Sequence, residues 1–261
     1  MAETKTNEIQ ISLEQISYLA KNYSTLDYAQ NLRSLLVTVY NEIDFSRYSK
    51  RMLHKYLNDF LLAHYPGEMT FKHQLFRRAA TKKLVAAFET RVQDSRVDFL
   101  TINGVSSSYE IKSDLDNLDK LCKQAQNYQK VFEYNYLVIN ARHKCKAITI
   151  LPASFGILRF SKGRQIVERD ASLNGTIDAN AQLSMLTKKE LASAFNGINR
   201  HSEIRNRFSD QTINNQFKST LKLRYSDRWK FLVEHRNEIL PIDLQFFFNR
   251  NIKPSIIYNH G

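Results

Sequence analysis

The chain has 261 residues, 43% hydrophobic and 25% charged, enough to bury a substantial core as one large domain or as a core with appendages. A formal net charge of +12 and a pI near 9.6 admit nucleic acid, an acidic protein or an anionic surface as partner. The polar opening Met1 to Gln10 lacks a signal-peptide core, and the longest apolar run, Ile148 to Leu158, is too short to span a bilayer and contains Pro152; no membrane partner and a cytoplasmic location are expected.

In chain order, residues 1–66 read as an N-terminal helical region. Ile11, Leu13, Ile16, Leu19 and Ala20 recur at helical spacing behind a capping Ser12. Tyr28, Leu32, Leu35 and Leu36 form a second stripe, and Tyr48, Met52, Tyr56, Phe60 and Leu61 a third, stopped by Pro66-Gly67. A basic stretch follows, with Lys72, Arg77, Arg78, Lys82 and Lys83. Leu84 to Glu89 reads as a strand, although a short helix also fits; Arg96 to Ile102 and Ser106 to Lys112 read as two more. Ser113 could cap a helix running to about Lys130, with Asp116 in its first turn and Leu118, Leu121, Cys122, Ala125 and Tyr128 inward. Tyr136 to Ile139 is a fourth strand, which makes the order α-β-β-β-α-β from residue 46 to 140. Residues 67–143 are expected to form the core, and 144–197 a hairpin and helix packed on it, with Thr187 capping Lys188 to Phe195. Residues 198–261 read as a basic, mostly helical extension. Two cysteines, Cys122 and Cys145, make neither a zinc site nor a disulfide framework and are expected to be reduced, partly buried thiols.

Asn103-Gly104 marks a hairpin. With a two-residue loop, Asp98 pairs with Tyr109 and points away from Glu110. With a three-residue loop, Ile102 pairs with Ser106 and Asp98 sits across from Glu110. A slip of one residue flips every side chain, so the faces arbitrate. The second register gathers Val97, Phe99, Tyr109 and Ile111 on one face and Arg96, Asp98, Ser106, Ser108, Glu110 and Lys112 on the other. Leu100 and Ile102 spoil the polar face, but the split is still the cleaner one. Strands lie about 4.8 Å apart, so Asp98 and Glu110 could share a Mg²⁺, with the Ile111 carbonyl as a further ligand. Lys112, on the face of Glu110, could orient an attacking water and offset charge on a phosphorane. The bland alternative is surface salt bridging on an edge hairpin.

The run Arg96-Val97-Asp98, then Tyr109-Glu110-Ile111-Lys112-Ser113-Asp114, then Gln124 and Tyr128, resembles the PD-(D/E)xK nuclease superfamily, over about Glu89 to His143. Val97 stands where the usual proline would be. The resemblance implies an α/β (α+β) restriction-endonuclease-like αβββαβ core with a mixed sheet, and Mg²⁺- or Mn²⁺-dependent phosphodiester hydrolysis. Asp98 and Glu110 match the metal-binding acids, Lys112 the catalytic lysine and Gln124 the supporting glutamine. Glu89 matches an acidic position that ligates a second metal or bridges through water. For an acid from the first core helix, Asp59 is the candidate on Ser46 to Tyr65.

Arg96 and Arg142 could bind phosphate bidentately, or pair with Asp114 or Glu89. Tyr128, Lys82, Lys83, Arg224 and Arg228 complete the expected nucleic-acid contacts. The aromatics between the C-terminal cations are expected in the core, Phe246 to Phe248 in the core or at an oligomer interface, and His143 reads as structural. The expected activity is a metal-dependent nuclease, DNA favoured over RNA, in phage defence or repair. A protein partner or homo-oligomer is compatible with it. The alternative is an inactive nuclease-fold module that binds nucleic acid or protein.

Overall fold

The computed structural model describes residues 11–161 and 163–259. Among them are twelve α-helices and six strands: α1 Leu13–Asn22, α2 Ala29–Val37, α3 Lys50–His64, α4 Glu68–Ala79, β1 Val85–Val92, β2 Ser95–Asn103, β3 Val105–Lys112, α5 Leu121–Gln129, β4 Tyr134–Ile139, α6 Lys144–Ile150, β5 Gly156–Ser161, β6 Arg164–Arg169, α7 Ala179–Ser184, α8 Lys188–Ala194, α9 His201–Arg207, α10 Asp210–Glu234, α11 Leu244–Arg250 and α12 Pro254–Asn259. The expected turn at Ser161 to Arg164 includes Lys162, which lies outside the described residues.

The chain divides into two compact units: Met1–Tyr65 with His235–Phe247 and Ile252–Gly261, and Pro66–Glu234 with Phe248–Asn251. The C-terminal stretch is shared between the two. In the first unit, α1 starts with a capping box in which Ser12 and Gln15 bond each other's backbone N–H. Leu19, Leu32, Leu36, Leu53 and Leu57 form its core, each fully buried.

The second unit is built on one open mixed sheet in the order β1-β2-β3-β4-β5-β6. β1, β2 and β3 are antiparallel neighbours, β4 runs parallel to β3, β5 parallel to β4, and β6 antiparallel to β5. The β2–β3 register pairs Ile102 with Ser106 and Phe99 with Tyr109, and Gly104 takes the positive φ of +73° that the turn between them needs. Both faces are covered, which explains the imperfect polar split of the hairpin. Phe99 packs against Phe76 of α4's side through Trp229 of α10, while Leu100, Ile102, Ser106 and Ser108 are equally buried on the face covered by α5. At β5, a side chain on Gly156 would meet the Tyr136 ring at 2.5 Å, so that strand contact requires glycine.

Three segments differ from the sequence reading. The basic stretch after Pro66-Gly67 is helix α4, whose Phe71, Leu75, Phe76 and Ala79 are buried at helical spacing. It is this helix, and not α3, that precedes the three antiparallel strands. Ser113 does not start a helix: its N–H and Oγ both donate to Asp116 Oδ2, at 2.8 and 2.6 Å, a local turn that competes with helix formation until Leu121. Cys122 and Cys145 are exposed, not partly buried, because each falls on the outer side of its helix.

Candidate functional site

The site forms where β1, β2 and β3 meet the start of α4. Continued one step past Phe99–Tyr109, the β2–β3 register sets Asp98 opposite Glu110. Across β2, Glu89 falls between the pairs Phe88–Phe99 and Thr90–Val97, also opposite Asp98. The β1 ladder breaks there because Glu89 has a φ of +54°, a strained conformation for a residue with a Cβ. Three carboxylates from three strands thus share one rung, and Glu68, the first residue of α4, adds a fourth: oxygens of Glu68, Glu89 and Asp98 lie within 4.8 Å of one another.

Each acid is held from behind. The Ile111 N–H donates to Asp98 Oδ2 at 2.6 Å. Glu110 is 2% exposed; its Oε1 accepts from Lys112 Nζ at 2.7 Å, and its Oε2 lies 2.7 Å from the Tyr128 hydroxyl. That hydroxyl also reaches the Arg96 carbonyl at 2.8 Å, so one proton serves two acceptors. Glu89 is bonded by the Lys72 ammonium and by Arg96 Nε, the latter at 2.6 Å.

Burial, reinforced by the charge of Glu110, pushes Asp98 well above the usual carboxylate range. Burial also raises Glu110, with Lys112 pulling the other way. Lys112 is raised, the pull of Glu110 outweighing burial, and the Tyr128 phenol is pushed up by burial and by Glu110. These two acids hold negative charge at a cost.

A cleft of about 460 Å³ opens on the group, lined among others by Glu68, Arg96, Asp98, Glu110, Lys112 and Gln124. The donors are all hard oxygens, with no thiol or imidazole among them, which fits Mg²⁺ or Mn²⁺ and not a soft metal. The Gln124 Oε1 is buried with no hydrogen-bond donor, an acceptor left over at the wall of the cleft.

The structure thus brings together Asp98, Glu110, Ile111, Lys112, Gln124, Glu89 and Arg96. Tyr128 lies beneath them, 0% exposed, and offers no surface for stacking a base, so its expected contact with nucleic acid is replaced by support of Glu110. Lys82, Lys83, Arg142, Arg224 and Arg228 do not line the cleft. Arg142 donates to the Asp114 carbonyl at 3.0 Å. Lys82 borders a separate cavity of about 330 Å³ on the Phe99 face of the sheet, beside the stacked rings of Tyr109 and Tyr136. Arg224 is used structurally: its Nε and Nη2 grip the Glu190 carboxylate at 2.7 and 2.6 Å, and Nη2 also reaches the Met185 carbonyl. Lys83 and Arg228 are exposed. Asp59 is an exposed partner of Lys55 in the first unit, and Glu68 takes the helix position sought for it. His143 is buried against the Ser113 carbonyl, and Phe247 and Phe248 are core.

Sequence reasoning missed Glu68, Lys72, Lys120 and Lys123. Glu68 follows the Pro-Gly break and reads as loop until α4 is recognised; the spacing of Phe71, Leu75 and Ala79 carries that signal. Lys120 and Lys123 line the cleft as exposed residues, Lys123 paired with Asp94.

A mixed α/β unit with an acid-lined cleft at its sheet is therefore the class of protein this chain defines. Residues 70–247, more than half of the chain, match the family described as Bacteriophage P4 protein cII, and the chain belongs to that family. No curated protein matches the chain. Among solved structures, it is similar to a protein of unknown function from Silicibacter pomeroyi, at 18% identity and a TM-score of 0.34, over 43% of this chain and 76% of that one. No helix among the described residues is long and apolar enough to cross a membrane.

Proposed function

We propose that this protein is a metal-dependent nuclease that hydrolyses phosphodiester bonds, DNA before RNA, with a restriction-endonuclease-like core formed by α4, β1, β2, β3, α5 and β4. One observation carries the reading. Asp98, Glu110 and Lys112, from adjoining strands, line one open cleft, and both acids are held at a raised pKa by burial. Surface salt bridging does not account for this, because Glu110 is 2% exposed. The family's description as a phage protein supports a setting in phage or mobile-element biology, which favours DNA.

Asp98 and Glu110 would hold the ion, with the Ile111 carbonyl beside them. The bound ion would supply a Lewis acid for the scissile phosphate and a more acidic water. Lys112, 2.7 Å from Glu110, would supply a fixed positive charge to offset the negative charge gained by the phosphorane. The Tyr128 hydroxyl and the Ile111 N–H keep the two acids from turning away from the cleft. Arg96 and Lys120 at the rim offer contacts to the flanking backbone, which makes binding salt-dependent.

The test is incubation of plasmid, linear DNA and RNA with the full chain in Mg²⁺, Mn²⁺ or EDTA, alongside Lys112→Ala. Cleavage that needs the metal and is lost in the variant supports the nuclease. Substrate bound but left whole by both proteins, with either metal, sinks it in favour of a binding module.

A further inference from the structure

We propose that Lys72 is a built-in cation that takes the place of a second metal ion, so that the cleft holds one divalent ion per chain, at Asp98 and Glu110. The inference rests on the metal-dependent reading above and sets how that site is loaded.

The oxygens of Glu68, Glu89 and Asp98 lie within 4.8 Å of one another. That span is about twice a metal–oxygen distance for Mg²⁺ or Ca²⁺, so the three acids alone have the dimensions of a second ion site. The place is already filled. The Lys72 ammonium lies 3.0 Å from Glu68 Oε1 and in contact with Glu89 Oε1, and it also feels the charge of Asp98. Its side chain is only 5% exposed. A lysine at the surface could swing aside for an ion, but this one is fixed by α4 one turn below Glu68, and moving it would bury an ammonium without its carboxylates.

Charge balance agrees. Glu68, Glu89, Asp98 and Glu110 carry four negative charges; Lys72, Arg96 and Lys112 carry three positive ones. One divalent ion and one phosphodiester bring the centre to neutrality. A second ion would leave it two charges positive. Glu89, expected from its sequence position to reach a second metal, is on this view neutralised by Lys72 and Arg96 and ligates nothing.

Mn²⁺ bound per chain, measured by calorimetric titration and by the loss of the free-ion paramagnetic resonance signal, decides the matter without substrate. Wild type and Lys72→Arg are expected to bind one ion. Lys72→Met is expected to bind two, and to gain several degrees more in melting temperature from Mn²⁺ than wild type does. A folded Lys72→Met that binds one ion, or a wild type that binds two, overturns the role of Lys72 and leaves the nuclease reading standing. Wild type that binds none overturns both. Glu89→Gln keeps Lys72 in place and covers the case in which Lys72→Met does not fold. Its Mn²⁺ affinity is expected within threefold of wild type, and a tenfold loss overturns the assignment.

Discussion

Two of the places where the protein buries acidic side chains surround them with different partners. In the first unit Asp243 is 1% exposed and wrapped in neutral donors: the Tyr23 and Tyr258 hydroxyls at 2.9 and 2.7 Å, Thr25 Oγ1 at 2.8 Å and Asn58 Nδ2 at 3.5 Å. His54 Nδ1 meets the same Tyr23 hydroxyl at 2.9 Å. In the second unit four acids crowd one rung and the start of one helix, with ammonium and guanidinium groups between them and a cleft in front. A single carboxylate with every lone pair answered is a fastener. Several carboxylates in excess of their counter-charges, turned toward solvent, are a site under tension.

Substitutions should break the two centres in opposite directions. The largest effect is expected from Asp98→Asn or Lys112→Ala, each lowering DNA cleavage about a thousandfold, or ~4 kcal/mol in barrier. The folded pKa of Asp98 is raised, so its ionised form costs stability above that pKa, whereas the unfolded carboxyl ionises freely. Asp98→Asn removes the cost and should therefore melt higher than wild type in EDTA at neutral pH; a lower melting point there would contradict the crowding of the acids.

Asp243→Ala should do the reverse and lower the stability of the first unit by about 3 kcal/mol, because it strands several buried hydroxyls and an amide. Faster hydrogen exchange in α1 and α3, with the sheet unaffected, is the readout. Of similar size is a pH effect of about 3 kcal/mol. Burial lowers His54 to about 4, with Lys50 adding to the shift. Between that value and the unfolded pKa near 6.5, the unfolded chain binds the extra proton, so stability falls as pH drops through this window. His54→Gln should flatten the slope in urea titrations; an unchanged slope would assign the acid sensitivity elsewhere. The smallest effect, about 1 kcal/mol or fivefold in turnover, is expected for Tyr128→Phe, which loosens Glu110 without removing a charge.

Much of the working centre is legible from residue types alone. The choice between the two hairpin registers rests on face composition, and the pairing of Ile102 with Ser106 is the one that composition favours. What escaped is of two kinds. Ser113 and Asp116 look like the start of a helix because the same side-chain-to-backbone bonds that cap helices also make freestanding turns. Depth is the other. Lys72 reads as one member of a basic stretch, and Tyr128, although on the inward stripe of its helix, as a nucleic-acid contact, since an isolated lysine is normally exposed and a tyrosine often half so. Only the assembled rung of acids explains why an ammonium is 4% exposed and a phenol 0%. Arg224 fails for a related reason: its partner, Glu190, is 34 residues away and on another helix.

The fastener around Asp243 also sets an order of events at the ribosome. Tyr23, Thr25, His54 and Asn58 are translated early, yet the acid that answers three of them arrives between 185 and 220 residues later. The second unit also takes its last residues, Phe248–Asn251, after Asp243, so both units wait for the C-terminal stretch. The N-terminal helices are made first and receive their acid late, so a nascent chain stalled before Asp243 would leave Tyr23, Thr25 and Asn58 without it, open to chaperones and proteases.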